Sequence, residues 1–191
     1  MHPHNILLLD VDNTIVIAKD NYIYKIINGK EIALTPAEFA QEDIHNNRYD
    51  FRDFEDPDRI KSAIMHGQPI VYVLDFMRDK LDNGWEVGIL TARPRGKLIK
   101  KILRTWLFCR DEEGKWTQIG DKLKRVFAIG EVGGTCSSNV EKKIAVLKRM
   151  CKEYEHVMFI DDDQSNIEAA RQLKLDNLIA INTNDLKFIV R

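Results

Sequence analysis

Three cysteines in 191 residues, Cys109, Cys136 and Cys151, are too few and too irregularly spaced for a disulfide framework or a zinc site. They fit a reducing compartment, so the chain is expected to be cytoplasmic. Long apolar runs are also missing. The run ahead of Asp10 is four residues, Ile6 to Leu9, too short for a secretory leader. Nothing approaches membrane-spanning length, so no membrane partner is expected. Excess charge of one sign is absent too: a net charge of −1 argues against holding nucleic acid by bulk electrostatics. Internal repeats, low-complexity tracts and a GxxxxGK[ST] phosphate loop do not occur. With 44% hydrophobic and 31% charged residues, the composition is that of one globular domain able to bury a sizeable core.

Charge is nonetheless unevenly placed. Residues 93–125 hold eleven Lys/Arg against four acids, whereas residues 36–60 hold three Arg against eight acids. Such runs are usually solvated faces, although the basic one would also attract an anionic substrate.

Four short apolar stretches read as strands buried on both faces of a sheet: residues 6–9, 85–90, 125–129 and 157–160. A fifth, at 178–181, closes the chain. Helical patterns lie between them: 56–66, a helix starting at Pro69 and running to about 82, 96–108, 140–154 and 165–173. Asn28-Gly29 joins β-rich runs at 22–27 and 30–34, a hairpin signal, because a type I′ turn needs positive φ at both central residues. Thr35-Pro36-Ala37-Glu38 has the form of a capping box opening a short helix to about Ile44. Residues 45–56 read as irregular, with Tyr49, Phe51 and Phe54 packing under a loop or lining an entrance. Residues 111–114 read as a turn, 115–122 as irregular, and 133–138 as a loop. The alternation predicts an α/β protein with a doubly wound, mostly parallel, Rossmann-like sheet and right-handed crossovers. It is one domain over 1–191, with a β-hairpin flap and a small insertion at about 19–56.

Polar groups stand at three strand ends. Asp10-Val11-Asp12 follows the first, Thr91 ends the second, and Asp161-Asp162 ends the fourth. In a doubly wound sheet such ends converge along one edge, where ligands bind. Alone, the first pair of acids is better explained as a solvated strand end. Beside the others, it sits in a cluster that needs a cation or a proton.

Taken together, these residues resemble the haloacid dehalogenase superfamily. Leu7-Leu8-Leu9-Asp10-Val11-Asp12-Asn13-Thr14 matches hhhDxDxT, and Gly88-Ile89-Leu90-Thr91 matches an apolar strand ending in Thr. Lys142 or Lys143 matches a lysine near a helix start, and Met158-Phe159-Ile160-Asp161-Asp162 matches a strand ending in paired acids. Lys143 is preferred because apolar Val146 and Leu147 follow three and four positions later, whereas Lys142 would have Ala145 and Val146.

The resemblance implies that Asp10 is the nucleophile and forms an aspartyl phosphate, and that Asp12 is the acid/base. The backbone carbonyl of Asp12 joins Asp10, Asp161 and Asp162 around Mg²⁺. Thr91 and Lys143 bind the phosphoryl group. The acid two positions after the nucleophile implies phosphoryl transfer, with hydrolysis the default. Arg93 is either a substrate contact or a surface ion pair, Asp163 a helix N-terminal acid, and Asn166 a helix-start polar residue.

The insertion is too short for a large lid, so an open site is expected. Three functions follow: a Mg²⁺-dependent phosphomonoesterase on a small metabolite or nucleotide, a 3′- or 5′-end phosphatase on nucleic acid, or a non-catalytic partner-binding protein. Leu90-Thr91-Ala92-Arg93 and the paired acids resemble the phosphatase half of polynucleotide kinase-phosphatases, and the paired acids also occur in phosphatases acting on the polymerase tail. Neither resemblance is specific. Composition and pattern leave the oligomeric state open.

Overall fold

The computed structural model describes residues 4–39, 41–42, 47–110, 113–131 and 139–189. The turn expected at 111–114 lies partly, and the loop at 133–138 wholly, outside them. The chain opens with β1 (Asn5–Leu9), β2 (Val16–Ile17), β3 (Ile23–Ile27), β4 (Lys30–Leu34), α1 (Pro36–Phe39), β5 (Arg48–Asp50) and α2 (Arg52–Glu55). It continues through α3 (Pro57–Met65), β6 (Gln68–Pro69), α4 (Val71–Asp82), β7 (Glu86–Thr91), α5 (Gly96–Trp106), β8 (Phe108–Arg110) and β9 (Trp116–Gln118). Then come β10 (Leu123–Ala128), α6 (Asn139–Glu153), β11 (His156–Asp161), α7 (Gln164–Gln172), β12 (Leu178–Asn182) and α8 (Thr183–Ile189).

The central sheet is parallel throughout, in the order β10-β7-β1-β11-β12. Strand β1 lies in the middle because its side chains have a dry partner on each face. Leu7 and Leu9 pack with Ile64, Leu74, Met77 and Leu103 from α3, α4 and α5. Ile6 and Leu8 pack with Leu147, Met150 and Ile167 from α6 and α7. All four are fully buried, and each such side chain contributes roughly 1.5–3 kcal/mol of apolar burial. From β1 the chain builds β7 and β10 on one side, then crosses through α6 to β11 and β12 on the other. The strand order therefore reverses at β1, which makes its carboxyl end the switch point of the doubly wound sheet.

Outside this sheet, β4, β3 and β5 form a small antiparallel sheet. Asn28 and Gly29 turn its hairpin at φ 49° and 75°, the left-handed pair that the sequence required. The capping box also forms: Glu38 accepts from the Thr35 amide at 2.7 Å and its own amide donates to Thr35 Oγ1 at 3.2 Å.

Local differences from the sequence reading have local causes. Pro69 does not start a helix. Gln68–Pro69 pairs antiparallel with Val16–Ile17, an edge position that proline tolerates, and α4 begins at Val71. Helix α1 stops at Phe39 rather than near Ile44, which itself lies outside the described residues. Helix α5 ends at Trp106, because 108–110 leave it to pair with 116–118. Residues 45–56 are not irregular throughout: Arg48–Asp50 adds a strand to the hairpin, and Arg52–Glu55 is a helical turn.

Candidate active site

Asp10 is the first residue past β1, and its amide still continues the ladder, donating to the Ile160 carbonyl at 3.0 Å. The chain then reverses in a tight loop, with the Ile15 and Val16 amides both donating to the Val11 carbonyl. Asn13 takes the left-handed conformation there at φ 52°, which asparagine tolerates better than most residues. Buried Thr14 shares a 3.2 Å hydrogen bond with Thr183 at the start of α8, fixing the loop to the domain.

Lys143, one turn into α6, brings two strand ends together. Its ammonium lies 3.0 Å from Asp10 Oδ1 and 2.6 Å from Asp161 Oδ2, with all three residues buried. Lys142 is not among the residues lining this cavity. Asp161 also accepts from the Asp163 amide at 2.9 Å and from Asn166 Nδ2 at 3.1 and 3.2 Å. Asp163 caps α7, accepting from the Ser165 amide at 2.8 Å. Asp162 is anchored through its carbonyl, which accepts from Asn182 Nδ2 at 2.9 Å.

Carboxylate oxygens of Asp10, Asp161 and Asp162 all lie within 4.8 Å of one another. Burial and the charges of Asp161, Asp12 and Asp162 push the Asp10 carboxyl well above its ordinary range, overcoming the opposing pull of Lys143. Burial, then the Asp161 charge, pushes Asp162 up to about 6 against a hydrogen bond from Asn13. Burial opposes charge on Lys143, yet the Asp10 and Asp161 carboxylates outweigh it and hold the lysine above its usual range. Three acids against one lysine leave a buried surplus of negative charge. An all-oxygen donor set carrying that surplus fits a hard divalent cation.

Asp12 stands apart from this group. Its carboxylate is gripped by Arg93, with Nε on Oδ2 at 2.7 Å and Nη2 on Oδ1 at 2.8 Å. Arg93 is only 1% exposed and Asp12 half-buried, so this is a bidentate pair at the cavity and not the surface ion pair offered as one alternative. Its guanidinium lies 4.9 Å from the centre of the Phe54 ring, and Nη1 has no hydrogen-bond partner among the described residues. Thr91, buried at the end of β7, accepts from the Arg93 amide at 3.2 Å. A cavity of about 400 Å³ joins Asp10, Asp12, Thr91, Arg93, Lys143, Asp161 and Asp162.

No family model matches the sequence, and no curated protein matches it. Among solved structures, the chain is similar to a haloacid dehalogenase-like hydrolase from Streptococcus pneumoniae, at 10% identity, TM-score 0.49 and full coverage of both chains. It is similar to the same degree, at 12% identity, TM-score 0.49 and full coverage, to a haloacid dehalogenase superfamily hydrolase from Ehrlichia chaffeensis. Likeness so loose says nothing about chemistry, which rests on the side chains themselves.

Two residues, Asn166 and Pro36, were not legible beforehand as parts of the site. Asn166 reads from sequence as a helix-start polar residue, but it is buried and orients Asp161; its place a few residues past the strand-end acids was the available signal. Pro36 and Phe54, from the insertion, form part of the cavity wall. Phe54 answers the alternative that an aromatic of this stretch lines an entrance, whereas Pro36 read only as the first residue of a helix.

Proposed function

We propose that this chain is a Mg²⁺-dependent phosphomonoester hydrolase acting on a small metabolite or nucleotide through an aspartyl phosphate on Asp10. The observation that carries the reading is the division of labour among the acids. Asp10 shares Lys143 with Asp161 beside Asp162, while Asp12, two residues on, is held separately by Arg93.

An Asp10 oxygen attacks phosphorus, the ester P–O bond breaks, and Asp12 gives its proton to the departing alkoxide. To reach that oxygen, Asp12 turns one carboxylate oxygen away from Arg93. Asp12 then takes a proton from water, whose oxygen attacks the phosphoryl group; the bond to Asp10 breaks and inorganic phosphate leaves. Lys143 and the Thr91 hydroxyl hold the phosphoryl oxygens as charge redistributes during transfer. Asp10, Asp161 and Asp162 would hold Mg²⁺, with the Asp12 carbonyl as a further oxygen. When bound, the ion supplies positive charge that offsets repulsion between the phosphate and these carboxylates.

Turnover of a phosphomonoester panel with and without Mg²⁺ tests the reading. Wild type should require Mg²⁺, and Asp10→Asn should lose at least about a thousandfold in kcat. No turnover of any phosphomonoester, or full activity in Asp10→Asn, would overturn it and favour a binding protein. A second reading, hydrolysis at a nucleic-acid end, draws on α5, whose exposed face carries Lys97, Lys101 and Arg104. It requires affinity that falls steeply with salt.

A further inference from the structure

Next to the acid-lined cavity lies a second lobe of about 580 Å³, and the two share Pro36, Phe54, Ala92, Asn139 and Asp163 as common wall. Its character is different. Among the described residues, Phe39, Phe51, Phe54 and Pro94 supply flat apolar surface, while Glu55 and Asp163 supply negative charge and Arg95 positive charge. The aromatics are built as a unit: Phe39 meets Phe51 edge-to-face at 5.4 Å and Tyr49 at 5.0 Å. Phe54 is fixed from the chemical side by the Arg93 guanidinium. Phe51, though in this cluster, remains 38% exposed. Arg95 is tied to the same wall, its Nε donating to the Glu55 carbonyl at 2.6 Å.

Resting on the phosphatase reading, we infer that this lobe receives the body of the substrate as a flat, uncharged aromatic ring, and that the substrate is a free nucleoside monophosphate. The ester oxygen must face Asp10 and Asp12, so whatever the phosphate is attached to extends past Phe54 into the lobe. Aliphatic sugar phosphates would place hydroxyls against phenylalanine and proline with few polar partners. A nucleobase instead stacks on the rings and turns its polar edge toward Glu55, Arg95 and Asn139. With Arg95 set against Glu55 and Asp163, the lobe has no surplus positive charge for a second phosphate. Its aromatic wall comes from residues 36–60, a segment with eight acids against three arginines, which disfavours a polyanionic strand leaving along that wall.

The test compares kcat/KM for adenosine 5′-monophosphate, glycerol 3-phosphate and a 5′-phosphorylated oligonucleotide on the Mg²⁺-loaded protein. The mononucleotide should exceed glycerol phosphate by roughly ten- to a hundredfold, the value of one base stacked on an aromatic side chain. Phe51→Leu and Phe39→Leu, which keep apolar bulk and remove the ring, should bring that ratio down toward one. An unchanged ratio in both variants, equal wild-type efficiency on the mononucleotide and glycerol phosphate, or a tenfold preference for the oligonucleotide would overturn the inference. Calorimetry with adenosine reads the lobe without turnover. Binding that weakens about tenfold in Phe51→Leu supports it, and no binding at millimolar adenosine overturns it. Failure to hydrolyse any phosphomonoester would instead overturn the phosphatase reading, leaving the calorimetric result to stand on its own.

Discussion

Arg93 and Asp12 form a pair whose geometry bears on the proposed proton transfer. Two parallel N–H···O bonds at 2.7 and 2.8 Å set the plane of the Asp12 carboxylate, and a lysine cannot reproduce that fork. Arg93→Lys should therefore keep the charge and lose the orientation. If Asp12 protonates the leaving group, turnover of alkyl phosphates should fall up to about a hundredfold, the scale expected when a catalytic group is misplaced by an ångström. Turnover of p-nitrophenyl phosphate, whose phenolate leaves without a proton, should fall much less. Equal losses on both substrates would show that Arg93 serves only the fold. Sequence named both residues but could not pair them, since they are 81 positions apart and their contact depends on how β1 and β7 lie side by side. Asp163, by contrast, was legible as a helix N-terminal acid, and its partner as a cap is only two residues away.

The same difference between near and distant partners runs through the elements. The strands read at 6–9, 85–90 and 157–160 were legible to within a residue because burial on both faces favours an apolar run. Their carboxyl ends then located Asp10, Thr91 and Asp161 together. The hairpin at Asn28-Gly29 was legible for an equally local reason. Strands β5, β6, β8 and β9 were not, because two or three residues carry no period and their pairing is set by a remote edge. Gly130 is a case where an element is positioned by what is missing. A Cβ there would stand 2.8 Å from the Ala92 carbonyl oxygen and 2.9 Å from the Pro94 nitrogen, so the loop carrying Arg93 rests directly on the glycine backbone. Gly130→Ala should push that loop and lower kcat roughly tenfold or more, while Mg²⁺ affinity measured by calorimetry stays within about twofold, because the acids belong to other strands. A matching loss of Mg²⁺ affinity would mean that the loop and the acid cluster move as one.

For the whole molecule, the acid cluster is a load that the two packed faces of the sheet must carry. Asp162 titrates at about 6 in the folded chain against an ordinary value of 3.8, so ionising it costs folding free energy. Because the raised value belongs to the folded state, the unfolded chain binds fewer protons between the two values. Stability of the metal-free protein should therefore fall as pH rises from about 4 to about 6 and stay low above that. Asp10, raised in the same direction by burial and its acidic neighbours, adds to the fall. A divalent cation held by Asp10, Asp161 and Asp162, as proposed, would remove the cost and stabilise the folded state by mass action. The rise in Tm on adding Mg²⁺ should therefore be larger at pH 7 than at pH 5. Asp10→Asn removes part of the load permanently: without metal at pH 7 it should melt above wild type, and Mg²⁺ should then shift it little. Thermal melts of both proteins across pH, with Mg²⁺ and with chelator, decide the matter. A metal-free Asp10→Asn that melts below wild type would show that the Lys143–Asp10 pair stabilises more than the crowded charge costs. That result would place the cluster among the supports of the fold.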